Sequence, residues 1–147
     1  MKIYIASDHA GYELKEKLKL YLHGPNQDVR DFGAYVNNPD DDYPDFVKPL
    51  AVAVATTSDS CGIVIGGSGE GEAICANRAP NVRACQFYGG NLDVVKVARE
   101  HNNANVLSLG ARFITEEEAR KAVDIFLTTA FSGDERHKRR IEKLDIL

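Results

Sequence analysis

The sequence predicts a three-layer α/β/α sandwich built on a five-stranded parallel sheet. Three observations predict it. Short β-rich runs alternate with amphipathic stretches of helical period along the chain. The run Cys61-Gly62-Ile63-Val64-Ile65 is apolar throughout, as befits a strand buried on both faces of a parallel sheet. Glycine and polar residues gather directly after the predicted strands, where open α/β sheets of the Rossmann-like kind place their ligands.

Lys2 to Ala6 reads as the first strand. Tyr12 to Leu22 reads as a helix, because Leu14, Leu18 and Leu22 fall on one face, and Gly24-Pro25-Asn26 stops it. Asp28 to Phe32 is a second, shorter strand, and the polar segment 37–42 is a loop. Phe46 to Thr57, rich in alanine and valine, is a second helix and leads to the strand Cys61 to Ile65. A glycine loop follows, then a helix from about Glu72 to Asn77. Arg83 to Tyr88 is the fourth strand, Leu92 to Glu100 a helix, and Asn105 to Leu109 the fifth strand. Thr115 opens a helix to about Thr129, with Glu116, Glu117 and Glu118 in a first turn that suits a capping box and the helix dipole. A last helix runs from about Asp134 to Leu144.

The 147 residues fit one domain, read as 1–147, and a hydrophobic content of 44% suffices for one sizeable core. The net charge of -4 argues against general nucleic-acid binding, which needs a basic surface. Met1 to Ala6 is too short an apolar run for a signal peptide, and no stretch approaches the roughly 20 apolar residues of a membrane span. The expectation is a cytoplasmic protein with neither membrane nor nucleic-acid partner. The three cysteines, Cys61, Cys75 and Cys85, match no metal knuckle or CxxC pair and read as small buried apolar residues. No metal and no cofactor is expected.

Four of the six residues Gly66 to Gly71 are glycine. Glycine lets a backbone approach a ligand closely, and a loop that leads into a helix can aim several N–H groups at one anionic atom. A Walker A loop would end in Gly-Lys-Ser/Thr, and a dinucleotide loop would read GxGxxG; Gly67-Ser68-Gly69-Glu70-Gly71-Glu72 does neither. Its two carboxylates would repel a pyrophosphate. A carboxylate beside an amide cradle does suit enolisation: the base takes a proton next to a carbonyl, and the N–H groups hold the oxyanion. A purely structural strand-to-helix turn explains the same residues. The residues alone leave Glu70 and Glu72 both open as the base.

Ser7-Asp8-His9-Ala10-Gly11-Tyr12, Asp41-Asp42-Tyr43-Pro44 and Gly66 to Glu72 resemble type B ribose-5-phosphate isomerase, as do Ala76-Asn77-Arg78, Glu100 to Asn105, Gly110-Ala111-Arg112 and Arg136 to Arg140. The resemblance runs through nearly the whole chain. The family also holds galactose-6-phosphate and allose-6-phosphate isomerases. It implies metal-free aldose–ketose interconversion through a cis-enediolate, with a place in the pentose phosphate pathway. One subfamily carries its cysteine base at the position of Gly66, so this chain departs from it. The other carries a glutamate at the position of Glu72, which this chain has. The resemblance thus favours Glu72 as carbon base, with Ser68 and the amides of Gly67, Gly69 and Gly71 on the enediolate oxygen.

The remaining roles follow from the same resemblance. His101 transfers the proton that opens the sugar ring, a task suited to a group titrating near neutral pH, or Asp8 does so. Asn102 bonds sugar hydroxyls, and a turn residue is its alternative. Tyr43 lines the site or the core. Arg112 and His9 meet the phosphate, although Arg112 also suits a surface ion pair. Arg136 and Arg140 lie four apart on one helix face, which suits a phosphate. In the family this tail, with His137, reaches the partner subunit's site, which implies a homodimer with shared sites and leaves a tetramer open. Two rival readings remain: a six-carbon sugar phosphate as substrate, and a non-catalytic sugar-phosphate-binding module.

Overall fold

The computed structural model describes residues 1–24, 28–144 and 146. Strands β1 (Lys2–Ser7), β2 (Asp28–Asp31), β3 (Ser60–Gly66), β4 (Ala84–Phe87) and β5 (Val106–Gly110) form one sheet in the order β2-β1-β3-β5-β4. Every pairing in it is parallel. The helices are α1 (Tyr12–Leu22), α2 (Pro44–Thr56), α3 (Glu70–Ala76), α4 (Asp93–Asn102), α5 (Glu116–Thr128) and α6 (Glu135–Leu144). All the expected elements are present. The expected helix stop at Pro25-Asn26 lies outside the described residues.

Side-chain alternation along the strands divides the core into two layers. Ile3 and Ile5 of β1, Ile63 and Ile65 of β3, and Leu107 and Leu109 of β5 pack against α1, α4 and α5. Tyr4 and Ala6, Val64 and Val106 pack against α2 and α3 through Val47, Leu50, Val54 and Cys75. Helices therefore cover both faces, which is why β3 carries no polar alternation. The cysteines belong to this packing; burial pushes the thiols of Cys61 and Cys85 up to about 12. No helix among the described residues is long and apolar enough to cross a membrane.

Several boundaries shift by one or two residues from expectation, and two of the shifts bear on function. Helix α3 starts at Glu70 rather than Glu72, because Gly69 adopts a left-handed φ of 78° that turns the chain straight into helix. Helix α4 runs on through His101 and Asn102, expected in a loop, and ends where Asn103 turns left-handed.

The register aligns the strand ends. Ser7 of β1 pairs with Ile65, and Gly66 of β3 pairs with Gly110 of β5. The chain leaves β1 towards β2, then returns to the other side for β3, β5 and β4. The carboxyl ends of β1 and β3 thus flank the point where strand order reverses, the usual ligand crevice of such sheets.

Candidate active site

The loop after β3 rests on β5. A Cβ on Gly69 would meet the Leu109 backbone at 2.9 Å, and one on Gly110 would meet the Ser68 carbonyl oxygen at 2.6 Å. Glycine at these points lets two backbones touch. Three further glycines accommodate side chains instead. A Cβ on Gly66 would fall on the Glu72 carboxylate, one on Gly67 would meet the Arg112 guanidinium at 3.3 Å, and one on Gly71 would meet the Tyr43 ring at 2.7 Å. A base, a cation and a phenol therefore close around one loop.

The two loop glutamates are now distinguished. Glu70 is exposed, whereas Glu72 is only 4% exposed and lies against Gly66. Helical spacing is the reason: residues two apart in a first turn face nearly opposite sides. Burial pushes the Glu72 carboxyl above the ordinary carboxylate value; the hydrogen bond from its own backbone N–H opposes this, and the Asp8 charge reinforces it. A carboxylate so held is a stronger base than one in water. The Ser68 hydroxyl accepts the Glu70 N–H at 3.3 Å, which leaves its own proton to donate.

The loop after β1 brings Asp8 and His9 to the same edge. Asp8 is 8% exposed, and its Oδ1 accepts the N–H groups of Ala10 and Gly11 at 3.0 and 3.2 Å. Asp8 therefore braces the turn that leads into α1 rather than capping the helix itself, whose N-cap is Gly11. Asp41 Oδ1 accepts both the backbone N–H of His9, at 3.0 Å, and its ring Nδ1, at 2.7 Å. This side-chain bond raises the His9 pKa against the opposing effect of burial; Asp8 reinforces it, and Arg112 opposes it. With Nδ1 engaged, Nε2 remains to meet an anion. Asp8, His9 and Asp41 together have the donors of a small cation site, but Asp41 is already bonded to the His9 ring and Asp8 to the Ala10 N–H.

Asp8, His9, Tyr43, Gly67, Ser68, Gly69, Gly71, Glu72 and Arg112 thus share one edge of the sheet. His101, Asn102, Arg136, His137 and Arg140 do not join them. Helix α4 runs back along the sheet, so its end lies beside the start of β5, where Arg83 Nε donates to the Asn103 carbonyl oxygen at 3.0 Å. The length of β3 separates the two edges by roughly 20 Å. Asn102 is exposed and lines a cleft of about 660 Å³ with Asn77, Arg78 and Cys85.

Helix α6 packs on α4, and the rings of His101 and His137 stack with centroids 4.3 Å apart. Arg136 and Arg140 are exposed on one face of α6, but His137 turns inward and is 5% exposed. Expected to hold phosphate together with the arginines, it lies off the face that Arg136 and Arg140 share and packs on His101. Burial lowers its pKa, helped by His101 and Arg136 and opposed by Asp134.

The ribose/galactose isomerase family matches residues 3–144. The chain belongs to that family. Ribose-5-phosphate isomerase B of Mycobacterium tuberculosis is 43% identical over 144 residues, which cover 98% of this chain and 88% of that protein. A crystal structure of ribose 5-phosphate isomerase from Thermotoga maritima superposes with a TM-score of 0.92 at 44% identity, covering 99% of this chain and 98% of the other. Ribose-5-phosphate isomerase B from Mycoplasma genitalium, solved with bound ribulose-5-phosphate, superposes at 0.91 with 39% identity, over 98% of this chain and 93% of that one. As a member of the ribose/galactose isomerase family, the chain departs from a cysteine-based site at one legible place. Gly66 and Glu72 form a complementary pair, because the carboxylate fills the space that a side chain at 66 would need.

Asp41, which holds His9, is a site neighbour that the sequence alone does not single out. Its signal was the run Asp40-Asp41-Asp42. Nothing in a run of three acids says which one turns inward.

Proposed function

We propose that this protein interconverts D-ribose 5-phosphate and D-ribulose 5-phosphate through a cis-enediolate, as a step of the pentose phosphate pathway. One observation carries the reading: the buried Glu72 carboxylate lies against Gly66, beside a loop that can offer amides and the Ser68 hydroxyl to a developing oxyanion. The family relationship supplies the substrate class.

Arg112 and the His9 imidazole hold the phosphate at this edge. Asp8, or His101 of the partner subunit, opens the ring. Glu72 then takes the C2 proton, and electrons flow to the C1 carbonyl oxygen. Ser68 and the amides of Gly67, Gly69 and Gly71 stabilise the cis-enediolate while the O2 proton passes to the neighbouring O1, and Glu72 returns its proton to C1 as the C2–O bond becomes the carbonyl. Tyr43 closes the wall beside Gly71. No step calls for a metal or a cofactor.

The functional form is a homodimer with two shared sites. The position of His101, Asn102, Arg136 and Arg140 at the far edge supports it, since their own Glu72 is out of reach. A second copy places them over the site, with Asn102 on sugar hydroxyls and the two arginines on the phosphate. His137 acts from behind, by stacking on His101. A cytoplasmic location fits a sugar-phosphate substrate.

Assays with ribose 5-phosphate, allose 6-phosphate and galactose 6-phosphate test the sugar. The five-carbon substrate should give the highest kcat/KM, and a six-carbon preference would overturn that choice. Glu72→Gln should abolish turnover while keeping phosphate-ligand binding. The same variant should melt higher at neutral pH. The folded-state pKa of Glu72 is raised, so its ionised form costs stability above that pKa, and the cost vanishes below the unfolded value. The gain should therefore shrink as pH falls through that window.

A further inference from the structure

Two polar side chains beneath the glycine loop touch neither the proposed substrate position nor Glu72, and both are spent on loop carbonyls. Ser108 is wholly buried within β5, amid Val106, Leu107 and Leu109. Its hydroxyl donates to the Gly69 carbonyl oxygen at 2.6 Å. Gln86, on the neighbouring strand β4, donates from Nε2 to the Ser68 carbonyl oxygen at 2.9 Å.

The consequence follows from peptide geometry. In a planar trans peptide the C=O of one residue and the N–H of the next point in opposite directions. Pinning the Ser68 and Gly69 carbonyls towards β4 and β5 therefore turns the N–H groups of Gly69 and Glu70 away from the sheet. The Glu70 N–H seats the Ser68 hydroxyl at 3.3 Å, so the anchor on Gly69 also fixes where that hydroxyl points. The left-handed φ of 78° at Gly69 allows the two peptides to take these directions together.

We infer that Ser108 and Gln86 are positioning residues that hold the loop's donors in the direction of the enediolate oxygen before substrate arrives. An oxyanion site acts by having its dipoles in place at the moment charge develops, so freedom of these peptides is paid for in turnover rather than in substrate affinity. The Ser108 hydroxyl is not needed to satisfy its acceptor. The Gly69 carbonyl also accepts the Ala73 N–H at 3.0 Å, so loss of the serine hydroxyl leaves no orphaned acceptor.

The inference rests on the isomerase reading above, and the experiment separates the two. Steady-state kinetics with ribose 5-phosphate are measured for the wild type, Ser108→Ala, Ser108→Thr and Gln86→Met. Affinity for a phosphorylated hydroxamate, whose planar O–N–C–O edge copies the enediolate, is measured for each. Ser108→Ala and Gln86→Met should each lower kcat about tenfold with KM within about twofold, and hydroxamate affinity should fall in step with kcat. Ser108→Thr, which keeps the hydroxyl, should retain turnover. Unchanged kcat in both variants, equal losses in Ser108→Ala and Ser108→Thr, or hydroxamate affinity unmoved while kcat falls would each overturn the positioning role alone. A wild type that neither turns over the sugar phosphate nor exchanges its hydrogen with solvent would overturn the isomerase reading, and the positioning role with it.

Discussion

Gly66 and Glu72 are chemically unlike, yet they share one volume. A side chain at 66 would meet the flexible end of Glu72 rather than a backbone, so Gly66→Ala can fold by displacing the carboxylate. We expect a melting temperature close to wild type and a loss of kcat on the order of 100-fold, from misplacement of a general base. Equal losses of stability and activity would point to simple overpacking. Asp41 offers a second test. It raises the His9 pKa, so His9 stays cationic to higher pH, as the proposed contact with the phosphate requires. In Asp41→Asn the rise of substrate KM should begin at lower pH than in the wild type, and matching KM–pH profiles would refute the role. The glycines and Glu72 were legible in the sequence because they are consecutive. The residues alone leave Glu70 and Glu72 equivalent, whereas the helix turns Glu70 outward and buries Glu72.

At the scale of elements, α6 is a helix with two jobs on two faces. Its inward face is anchored by the His137–His101 stack on α4, and its outward face presents Arg136 and Arg140. Replacing both arginines by alanine should raise the KM for ribose 5-phosphate by about tenfold or more, since bidentate guanidinium–phosphate pairs are charge-assisted, with little change in circular dichroism or melting temperature. A KM equal to wild type would remove the tail from the phosphate site. The helices were legible from their periods, and the capping box at Thr115 appears as its residues predict, with Thr115 Oγ1 and Glu118 reciprocally bonded. Which residues of 136–140 face outward was not. The pattern put His137 with the arginines, and only its packing against α4 turned it inward.

For the molecule as a whole, the residues proposed for the site lie at both ends of a single sheet. A shared-site dimer predicts complementation. Mixing Glu72→Gln subunits with Arg136→Ala/Arg140→Ala subunits yields hybrids in which one site takes both defects and the other takes neither. Random reassociation of equal amounts should restore about a quarter of wild-type sites, because half the dimers are hybrids with one intact site each. No recovery after unfolding and refolding the mixture would exclude sites built across two subunits.

The sequence by itself determined the five strands, the helices and the glycine cluster at Gly66 to Gly71 with its two glutamates. These depend on neighbours in the chain: hydrophobic period, glycine clustering and capping residues are local properties that a linear reading captures. Tertiary structure alone decided that Glu72 fills the space over Gly66, that Asp41 grips His9, and that Ser108 and Gln86 anchor the loop from beneath. It also carried His101 to the opposite edge from the loop it was expected to serve. Those relations join residues tens of positions apart, and they arise from strand order and register, which fix distance in space independently of distance along the chain.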